Sequence, residues 1–272
     1  MPELPEVEAL GRALRRLLQG ARFTGVDVLW PRSVAMPSAE EFIAQLQGCQ
    51  IEDVGRTGKF VLFWLTRTSY LLVHLRMSGQ LLVESAGAPP GKYARVVFHL
   101  TDDRQLIFDN PRKLGRVYLT SNLEEVLGHL GPNPLADDFD LDAFVTALSR
   151  RRGALKPLLM NQSFLAGLGN IYADEVLFEA GLHPLRKANT LTSEEIERLH
   201  AAIRNVLQRA IDDRGTTLSD GRYCDVQGQP GSHQHHLQVY QRTGEPCRRC
   251  GQPIERIRVS GRGTHFCPRC QR

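Results

Sequence analysis

The sequence predicts an α+β protein, in which a β-rich stretch is followed by a helical one and by a short C-terminal hairpin held by a metal. Three observations predict this order. Short β-type runs fill residues 21–120, amphipathic helical patterns follow residue 134, and two CxxC pairs lie near the end of the chain. The 272 residues, 42% of them hydrophobic, are enough for two or three small cores.

The first element is a helix over residues 5–19. Its apolar residues recur at helical spacing on one face, and its arginines lie off that face. Pro5 suits a first helical turn, where its missing N–H costs nothing, and Gly20 ends the pattern. We therefore expect a helix that lies against the sheet region.

Repeated strands follow, with no helical pattern between them. Each run is short, rich in β-branched and aromatic residues, and bounded by turn residues. The runs cover residues 23–28, 60–65, 70–75, 95–100 and 105–108. Consecutive strands without crossover helices favour an antiparallel β-sandwich flanked by the first helix.

Residues 131–134, Gly-Pro-Asn-Pro, indicate a boundary, and helical patterns follow it. The predicted helices cover residues 141–151, 171–180 and 192–210, the last of which opens with the capping box Thr-Ser-Glu-Glu. Residues 213–236 then lose periodicity, which is typical of a functional loop or a disordered one. The predicted domains are residues 1–131, 132–236 and 237–272.

Composition excludes some classes of protein. No apolar run approaches the roughly 20 residues of a membrane helix, and the first 20 residues are too charged for a secretory signal, so we expect a cytoplasmic protein. The net charge is +4, a mild basic excess. The charge is uneven, since residues 237–272 hold eight arginines and only two glutamates. The C-terminal end is therefore the best candidate for binding phosphates.

The two CxxC pairs are the strongest local signal. Cys247, Cys250, Cys267 and Cys270 supply four thiolates, which complete a tetrahedral zinc shell with no position open for water. The pattern predicts one structural zinc ion, and the alternatives are two disulfides or free thiols. Zinc ribbons also serve as scaffolds or protein-binding modules, so the motif alone does not specify nucleic acid. The two remaining cysteines, at 49 and 224, are expected to be inert.

The chain begins Met1-Pro2-Glu3. A small second residue permits removal of the initiator methionine, which would leave Pro2 with a free secondary amine. Such an amine is less basic than lysine, and it forms a permanently cationic iminium when it captures a sugar carbon. Glu3 could move protons beside it. The simpler interpretation is an ordinary helix start, where acidic residues are favoured.

Eight stretches spread over almost the whole chain carry a further signal: MPELPEVE at 1–8, HLRMSG at 74–79, NPRKLG at 110–115, HLGPNPL at 129–135, ALKPLLM at 154–160, AGLGNIYADEVLF at 166–178, GTTL at 215–218 and the zinc pattern. Together they closely resemble the formamidopyrimidine-DNA glycosylase family, also called 8-oxoguanine DNA glycosylase or MutM. The resemblance implies a β-sandwich, a helix-two-turn-helix domain and a zinc-finger β-hairpin. It implies base-excision repair of oxidised purines in duplex DNA, combined with abasic-site lyase activity by β,δ-elimination.

The resemblance also implies roles for individual residues. Pro2 matches the Schiff-base nucleophile that attacks the sugar C1′, and Glu3 matches the general acid for base departure and ring opening. Glu6 matches a residue that supports them. Lys59 matches the proton donor for β-elimination, and Arg262 matches the zinc-hairpin arginine linked to DNA phosphate and δ-elimination.

Further positions match residues that contact DNA. A flipped base leaves a void in the duplex, and Met77, Arg112 and Leu114 match the residues that fill it. Many relatives have phenylalanine where Leu114 stands, and a leucine can wedge but cannot stack. Backbone contacts are implied for Tyr93, Arg151, Lys156 and Asn170. Without the resemblance, these residues would be interpreted as core, surface or helix-cap positions.

Two other functions stay open on the sequence. An enzyme of the sister family, endonuclease VIII, would remove oxidised pyrimidines; Leu4, Val7 and the Arg112 motif favour the purine-directed family. A non-catalytic zinc-ribbon DNA-binding protein would need neither a free Pro2 nor Glu3. We expect a monomer that binds damaged double-stranded DNA and associates with the nucleoid. The histidines at 233, 235 and 236 resemble a metal-binding tract only weakly and are assigned no role.

Overall fold

The structure is a computed structural model, which describes residues 2–219, 221 and 223–272. The chain forms two compact units. The first comprises Met1–Gly128 together with Asp213–Ser232, and the second comprises His129–Asp212 together with His233–Arg272. Among the described residues, no helix combines the length and the hydropathy needed to cross a membrane.

The described part of the first unit contains two β-sheets. Its strands are β1 (Phe23–Val28), β2 (Val34–Met36), β3 (Ile51–Thr57), β4 (Phe60–Leu65), β5 (Ser69–His74), β6 (Gln80–Ser85), β7 (Ala94–Leu100), β8 (Arg104–Asp109) and β9 (Arg116–Thr120). One sheet has the order β1-β7-β8-β6 and the other β2-β9-β5-β4-β3. Neighbouring strands are antiparallel except for the short parallel pair β2–β9. The predicted sandwich is therefore confirmed, with one parallel exception.

Helices α1 (Leu4–Leu18), α2 (Ala39–Leu46) and α3 (Glu124–Leu127) complete this unit. The prediction that no helix interrupts residues 21–120 was wrong, because α2 lies between β2 and β3. A capping box starts α2: the Ser38 hydroxyl accepts a bond from the Glu41 N–H at 3.2 Å, and the Glu41 carboxylate accepts one from the Ser38 N–H at 3.2 Å.

One apolar cluster joins the two sheets and helix α1. Leu14 of α1, Phe63 of β4 and Phe98 of β7 are fully buried in it. The ring centre of Phe98 lies 5.8 Å from that of Phe23 and 6.2 Å from that of Phe42. Burying each such side chain contributes about 1.5–3 kcal/mol, so the core fixes the helix that carries the N-terminal residues.

The segment 213–232 belongs to the sandwich unit, whereas its sequence predicted a loop of the helical domain. The Thr216 N–H donates to the Glu6 carboxylate of α1 at 2.7 Å, the Tyr223 hydroxyl donates to the Glu6 carbonyl at 3.2 Å, and Val226 joins the sandwich core. These bonds join residues more than 200 positions apart, so local sequence patterns could not reveal them. Residues 220 and 222 of the predicted loop lie outside the described residues.

The second unit, all of whose residues the structure describes, contains four α-helices, two short 3-10 helices and one hairpin. The 3-10 helices are Ala188–Thr190 and His233–His235. The α-helices and hairpin strands are α4 (Leu141–Ser149), α5 (Leu155–Leu159), α6 (Asn170–Ala180), α7 (Ser193–Asp212), β10 (Glu255–Val259) and β11 (Arg262–Phe266). The predicted boundary at 237 is not a boundary between compact units, because the hairpin packs on α6. The Arg249 guanidinium lies 4.3 Å from the ring centre of Phe178 and donates to the Phe178 carbonyl at 3.0 Å.

Candidate active site and zinc centre

The N-terminal residues Pro2, Glu3 and Glu6 are buried where α1 begins. Glu3 is the residue preceding the first helical turn, and its backbone N–H donates to Glu6 Oε2 at 2.8 Å. The other oxygen, Oε1, accepts the bond from Thr216 N–H. Two backbone donors thus hold the Glu6 carboxylate in one orientation beside Glu3. Met1 lies outside the described residues, so its predicted removal is untested.

The GTTL segment is shaped around Glu6. Gly215 has φ +79°, and a Cβ built on it would lie 2.9 Å from both Cγ and Oε1 of Glu6, so a side chain there would be strained and crowded. The Tyr223 hydroxyl shares its single proton between the carbonyl oxygens of Glu6 and Arg214, and burial raises the pKa of Tyr223. It therefore stays a neutral donor at physiological pH.

Lys59 is buried in the two-residue turn that joins β3 to β4, where Gly58 adopts φ +57°. The neighbouring Phe60 pairs with His74 across the strands, and the two ring centres are 4.6 Å apart. His74 Nδ1 accepts the Arg76 N–H at 3.0 Å, which places the imidazole proton on Nε2. His74 belongs to the HLRMSG motif at 74–79, in which the sequence predicted a role only for Met77.

Two exposed loops present the predicted void-filling residues. Met77 is 37% exposed and Leu114 is 46% exposed, and Arg112 is also at the surface. Each loop contains a residue other than glycine with positive φ: Arg76 has φ +55° and Lys113 has φ +57°. Such a conformation costs on the order of 1–3 kcal/mol and is concentrated at functional sites.

Each of these loops ends in a glycine that admits no side chain. A Cβ on Gly79 would lie 2.5 Å from the Leu75 carbonyl oxygen, and one on Gly115 would lie 2.1 Å from the Asn110 amide nitrogen. The Lys113 ammonium lies 3.8 Å from the ring centre of Trp30, a cation–π contact. Both loops therefore have defined conformations and expose apolar side chains at their tips. Tyr93, also predicted at DNA, is 43% exposed.

The four cysteines of the CxxC pairs lie together. Their sulfur atoms are all within 4.8 Å of one another, with Cys247 Sγ 3.9 Å from Cys270 Sγ and Cys250 Sγ 3.4 Å from Cys267 Sγ. Zinc bonds of about 2.3 Å in a tetrahedron separate the sulfurs by about 3.8 Å, so the cluster fits one zinc ion, whereas disulfides would need about 2 Å. The predicted structural zinc site is confirmed, because the zinc-finger family model covers this segment and its four cysteines cluster around one point.

Arg262 opens strand β11 and is exposed. The turn before it contains Ser260 at φ +47° and Gly261 at φ +78°. A two-residue turn with two positive φ angles matches the right-handed twist of the flanking strands. The arginine side chain is therefore presented at the tip of the zinc-held hairpin.

Three residues of the helical region were predicted to contact DNA, and they differ in burial and in hydrogen-bond partners. Arg151 is exposed, with its guanidinium 5.7 Å from the ring centre of Phe164. Asn170 is the first residue of α6, and its amide donates to the Gly263 carbonyl at 3.2 Å, so it is not a simple helix cap. Lys156 is only 1% exposed and pairs with Asp174, 2.7 Å away. The DNA-backbone contact that the resemblance implied for Lys156 stays a prediction, and the structure places this side chain below the surface.

Two buried acids on α6 were missed in the sequence. Asp174 contacts Lys156 and His265, and Glu175 accepts the N–H groups of Gln238, Val239 and Tyr240 at 2.8–3.0 Å. Burial raises the pKa of Glu175 despite these donors. The only signal was a pair of adjacent acids inside the run 171–178, whose other residues are apolar or aromatic.

Three family models match successive parts of the chain. Residues 1–117 match the formamidopyrimidine-DNA glycosylase N-terminal domain, residues 130–221 its H2TH domain, and residues 244–272 a zinc finger found in FPG and IleRS. A sandwich, an H2TH domain and a four-cysteine zinc hairpin together define a DNA glycosylase.

Whole-chain relatives agree. The chain is 49% identical to the formamidopyrimidine-DNA glycosylase of Herpetosiphon aurantiacus and 43% identical to that of Protochlamydia amoebophila, with complete coverage of each sequence. A crystal structure of Lactococcus lactis Fpg with DNA containing an abasic site is 37% identical, covers 99% of each chain and superposes with a TM-score of 0.91. The chain belongs to the formamidopyrimidine-DNA glycosylase family.

Proposed function

We propose that this DNA glycosylase removes oxidised purines, 8-oxoguanine and formamidopyrimidines, from duplex DNA and then cuts the strand at the abasic site. The observation that carries the proposal is the buried N-terminal group, in which Pro2 and Glu3 precede α1 and two backbone N–H groups orient Glu6. Relatives of similar fold, with TM-scores of 0.93 and 0.92, were solved with DNA containing Fapy-dG and carbocyclic 8-oxo-G.

The chemistry starts at the nitrogen of Pro2, once Met1 is removed. Its lone pair attacks C1′, the electron pair of the bond between C1′ and the base passes to the base nitrogen, and that nitrogen takes a proton. The Pro2 nitrogen then loses its own proton, and its lone pair forms the C=N bond as the C1′–O4′ bond breaks and the sugar ring opens. Glu3 donates a proton to the departing base or to O4′ of the opening ring. The product is an iminium between Pro2 and the ring-opened sugar.

The iminium then acts as the electron sink for two eliminations. Loss of a C2′ proton breaks the C3′–O bond, and loss of a C4′ proton breaks the C5′–O bond, which releases the sugar fragment from DNA. Lys59 supplies a proton in the first elimination, and Arg262 binds the phosphate that leaves in the second. The zinc ion holds the hairpin of Arg262 and takes no part in bond breaking.

Borohydride trapping tests this mechanism. Reduction of the iminium should leave a stable adduct that maps to Pro2 in protein lacking Met1. Glu3→Gln should slow release of 8-oxoguanine far more than cleavage of a ready-made abasic site, because the base has already left there. Trapping on a lysine, or full base release with a blocked N-terminus, would reject Pro2.

A second candidate substrate class is oxidised pyrimidines, which the sister family removes. Paired assays on 8-oxoguanine opposite cytosine and on thymine glycol separate the two. Arg112→Ala should also weaken discrimination among the four bases opposite 8-oxoguanine, because the unpaired base loses a hydrogen-bonding partner. Equal rates on both lesions would reject the purine preference.

A further inference from the structure

A buried ion pair ties helices α5 and α6 to the hairpin strand β11. Lys156 Nζ lies 2.7 Å from Asp174 Oδ1, and the two side chains are 1% and 0% exposed. A lysine this deeply buried beside a carboxylate has no free charge to offer a phosphate at the surface. Its function must therefore act through the groups that it touches.

Asp174 also binds β11 directly. Its second oxygen, Oδ2, accepts the backbone N–H of His265 at 2.9 Å and lies 3.1 Å from His265 Nδ1. The two oxygens of one carboxylate thus face a cation on α5 and the backbone of β11. Hydrogen bonds to a charged carboxylate are shorter and stronger than those to a neutral amide. Asp174 therefore holds α5 and β11 more firmly than an asparagine of the same size would.

Donors from two helices share one acceptor, the carbonyl oxygen of Gly263, which is the residue after Arg262. It accepts bonds from Lys156 Nζ at 3.0 Å and from Asn170 Nδ2 at 3.2 Å. Donors from two helices therefore fix the peptide beside Arg262, while the arginine side chain itself stays exposed. Zinc holds the base of the hairpin, and this group of residues holds its tip.

We propose that Asp174 is a positioning residue for Arg262, acting through Lys156 and His265, and that Lys156 orients the hairpin and makes no contact with phosphate. The inference rests on the proposed function, in which Arg262 binds the phosphate that leaves in δ-elimination. A displaced Arg262 should slow that step and spare base release, which depends on Pro2 and Glu3.

The test uses Asp174→Asn in the full chain with zinc bound, on a duplex containing an abasic site. The ratio of δ- to β-elimination product should fall at least severalfold, with base release from 8-oxoguanine changed much less. Asp142→Asn, at an exposed position on α4, is the matched control and should keep the parent ratio. Lys156→Arg retains a cation beside Asp174 and should retain more of the δ product than Lys156→Met. This pair of variants still decides the matter if Asp174→Asn loses zinc.

A double-mutant cycle with Arg262→Ala separates positioning from direct contact. If Asp174 and Lys156 act only through Arg262, Lys156→Met and Asp174→Asn should add nothing to the Arg262→Ala defect. A direct phosphate contact by Lys156 would instead multiply the defects and lower the salt dependence of affinity by a further ~0.9 log units per log salt. Multiplied defects, or an unchanged ratio of δ- to β-elimination product in Asp174→Asn, would overturn the positioning role. The proposed role of Arg262 would stand in either case. A parent ratio in Arg262→Ala would overturn the proposed role of Arg262 and the inference with it.

Discussion

The β-sandwich and the zinc hairpin hold their folds by different forces. The sandwich encloses a large apolar cluster formed by helices α1 and α2 and by both sheets, so the buried area is shared among many side chains. Among the described residues, the cluster at the hairpin contains five buried side chains, and two of them are zinc-binding cysteines. Buried acids on α6 supply its other anchors. Loss of one buried side chain should therefore lower the stability of the sandwich only in part. Loss of one zinc ligand should instead unfold the hairpin.

Removal of zinc should give the largest difference between the two regions. Structural zinc contributes about 10–16 kcal/mol of binding free energy to small domains, so Cys250→Ser should lose the metal and the hairpin together, and with them most duplex affinity. Trp30 and Trp64, the only tryptophans, lie in the sandwich unit, so their fluorescence should stay unchanged. Metal analysis and duplex titration measure the loss. Cys224→Ser is the control, and full zinc content in Cys250→Ser would refute the four-cysteine site.

A cavity in the sandwich should have a smaller, graded effect. Phe98→Ala removes a fully buried ring and should cost about 3–5 kcal/mol in the free energy of unfolding. Urea unfolding followed by tryptophan fluorescence measures the change, and zinc content should not move. Leu29→Ala, at a side chain that is 52% exposed, is the control and should change stability by less than about 0.5 kcal/mol. Zinc loss in Phe98→Ala would contradict the independence of the two regions.

Glu175→Gln tests an anchor of the hairpin other than the metal. The variant turns one acceptor oxygen into an amide that faces backbone N–H donors, which should cost on the order of 1–3 kcal/mol. Hydrogen exchange at residues 238–240 should rise, and a chelator should remove zinc faster. Glu179→Gln lies on the same helix but breaks only partly exposed ion pairs with Arg209 and Arg249, worth about 0–1 kcal/mol. Equal effects of the two variants would count against the buried anchor.

Leu114→Phe should have the smallest effect on stability, because the side chain is exposed at a loop tip. Its effect should fall on DNA, since stacking of an aromatic ring on a base contributes about 1–3 kcal/mol. We expect lesion-duplex affinity to rise at least severalfold, with the midpoint of urea unfolding unchanged. Leu114→Met keeps an apolar side chain without an aromatic face and serves as control. An equal gain from methionine would exclude stacking as the cause.

Local patterns predicted the strands and helices best where burial is one-sided or complete. Strands β1 and β4 have the predicted bounds, and α1 begins and ends one residue before its prediction. The helix α2 was missed although Ser38-x-x-Glu41 is a capping box, because the surrounding strand pattern led us to expect no helix there. A local start signal should be weighed even inside a β-rich stretch.

The zinc ligands could be identified from the sequence, whereas the buried ionic group around Asp174 could not. The four cysteines were identified by spacing, because two adjacent pairs supply all the ligands. Asp174 could not be assigned, since its partners Lys156 and His265 lie 18 and 91 positions away along the chain. The role of a buried charged residue depends on the partner that it contacts, and the sequence does not identify that partner.

The bond between Glu6 and Thr216 spans 210 positions of the chain. A ribosome makes the N-terminus first, so α1 can emerge and fold well before the residues that orient its carboxylate exist. During translation, the Thr216 N–H that donates to Oε1 of Glu6 therefore becomes available only after the helical segment 129–212 has been made. The order of synthesis thus leaves the Glu6 end of the molecule among the last parts to be completed.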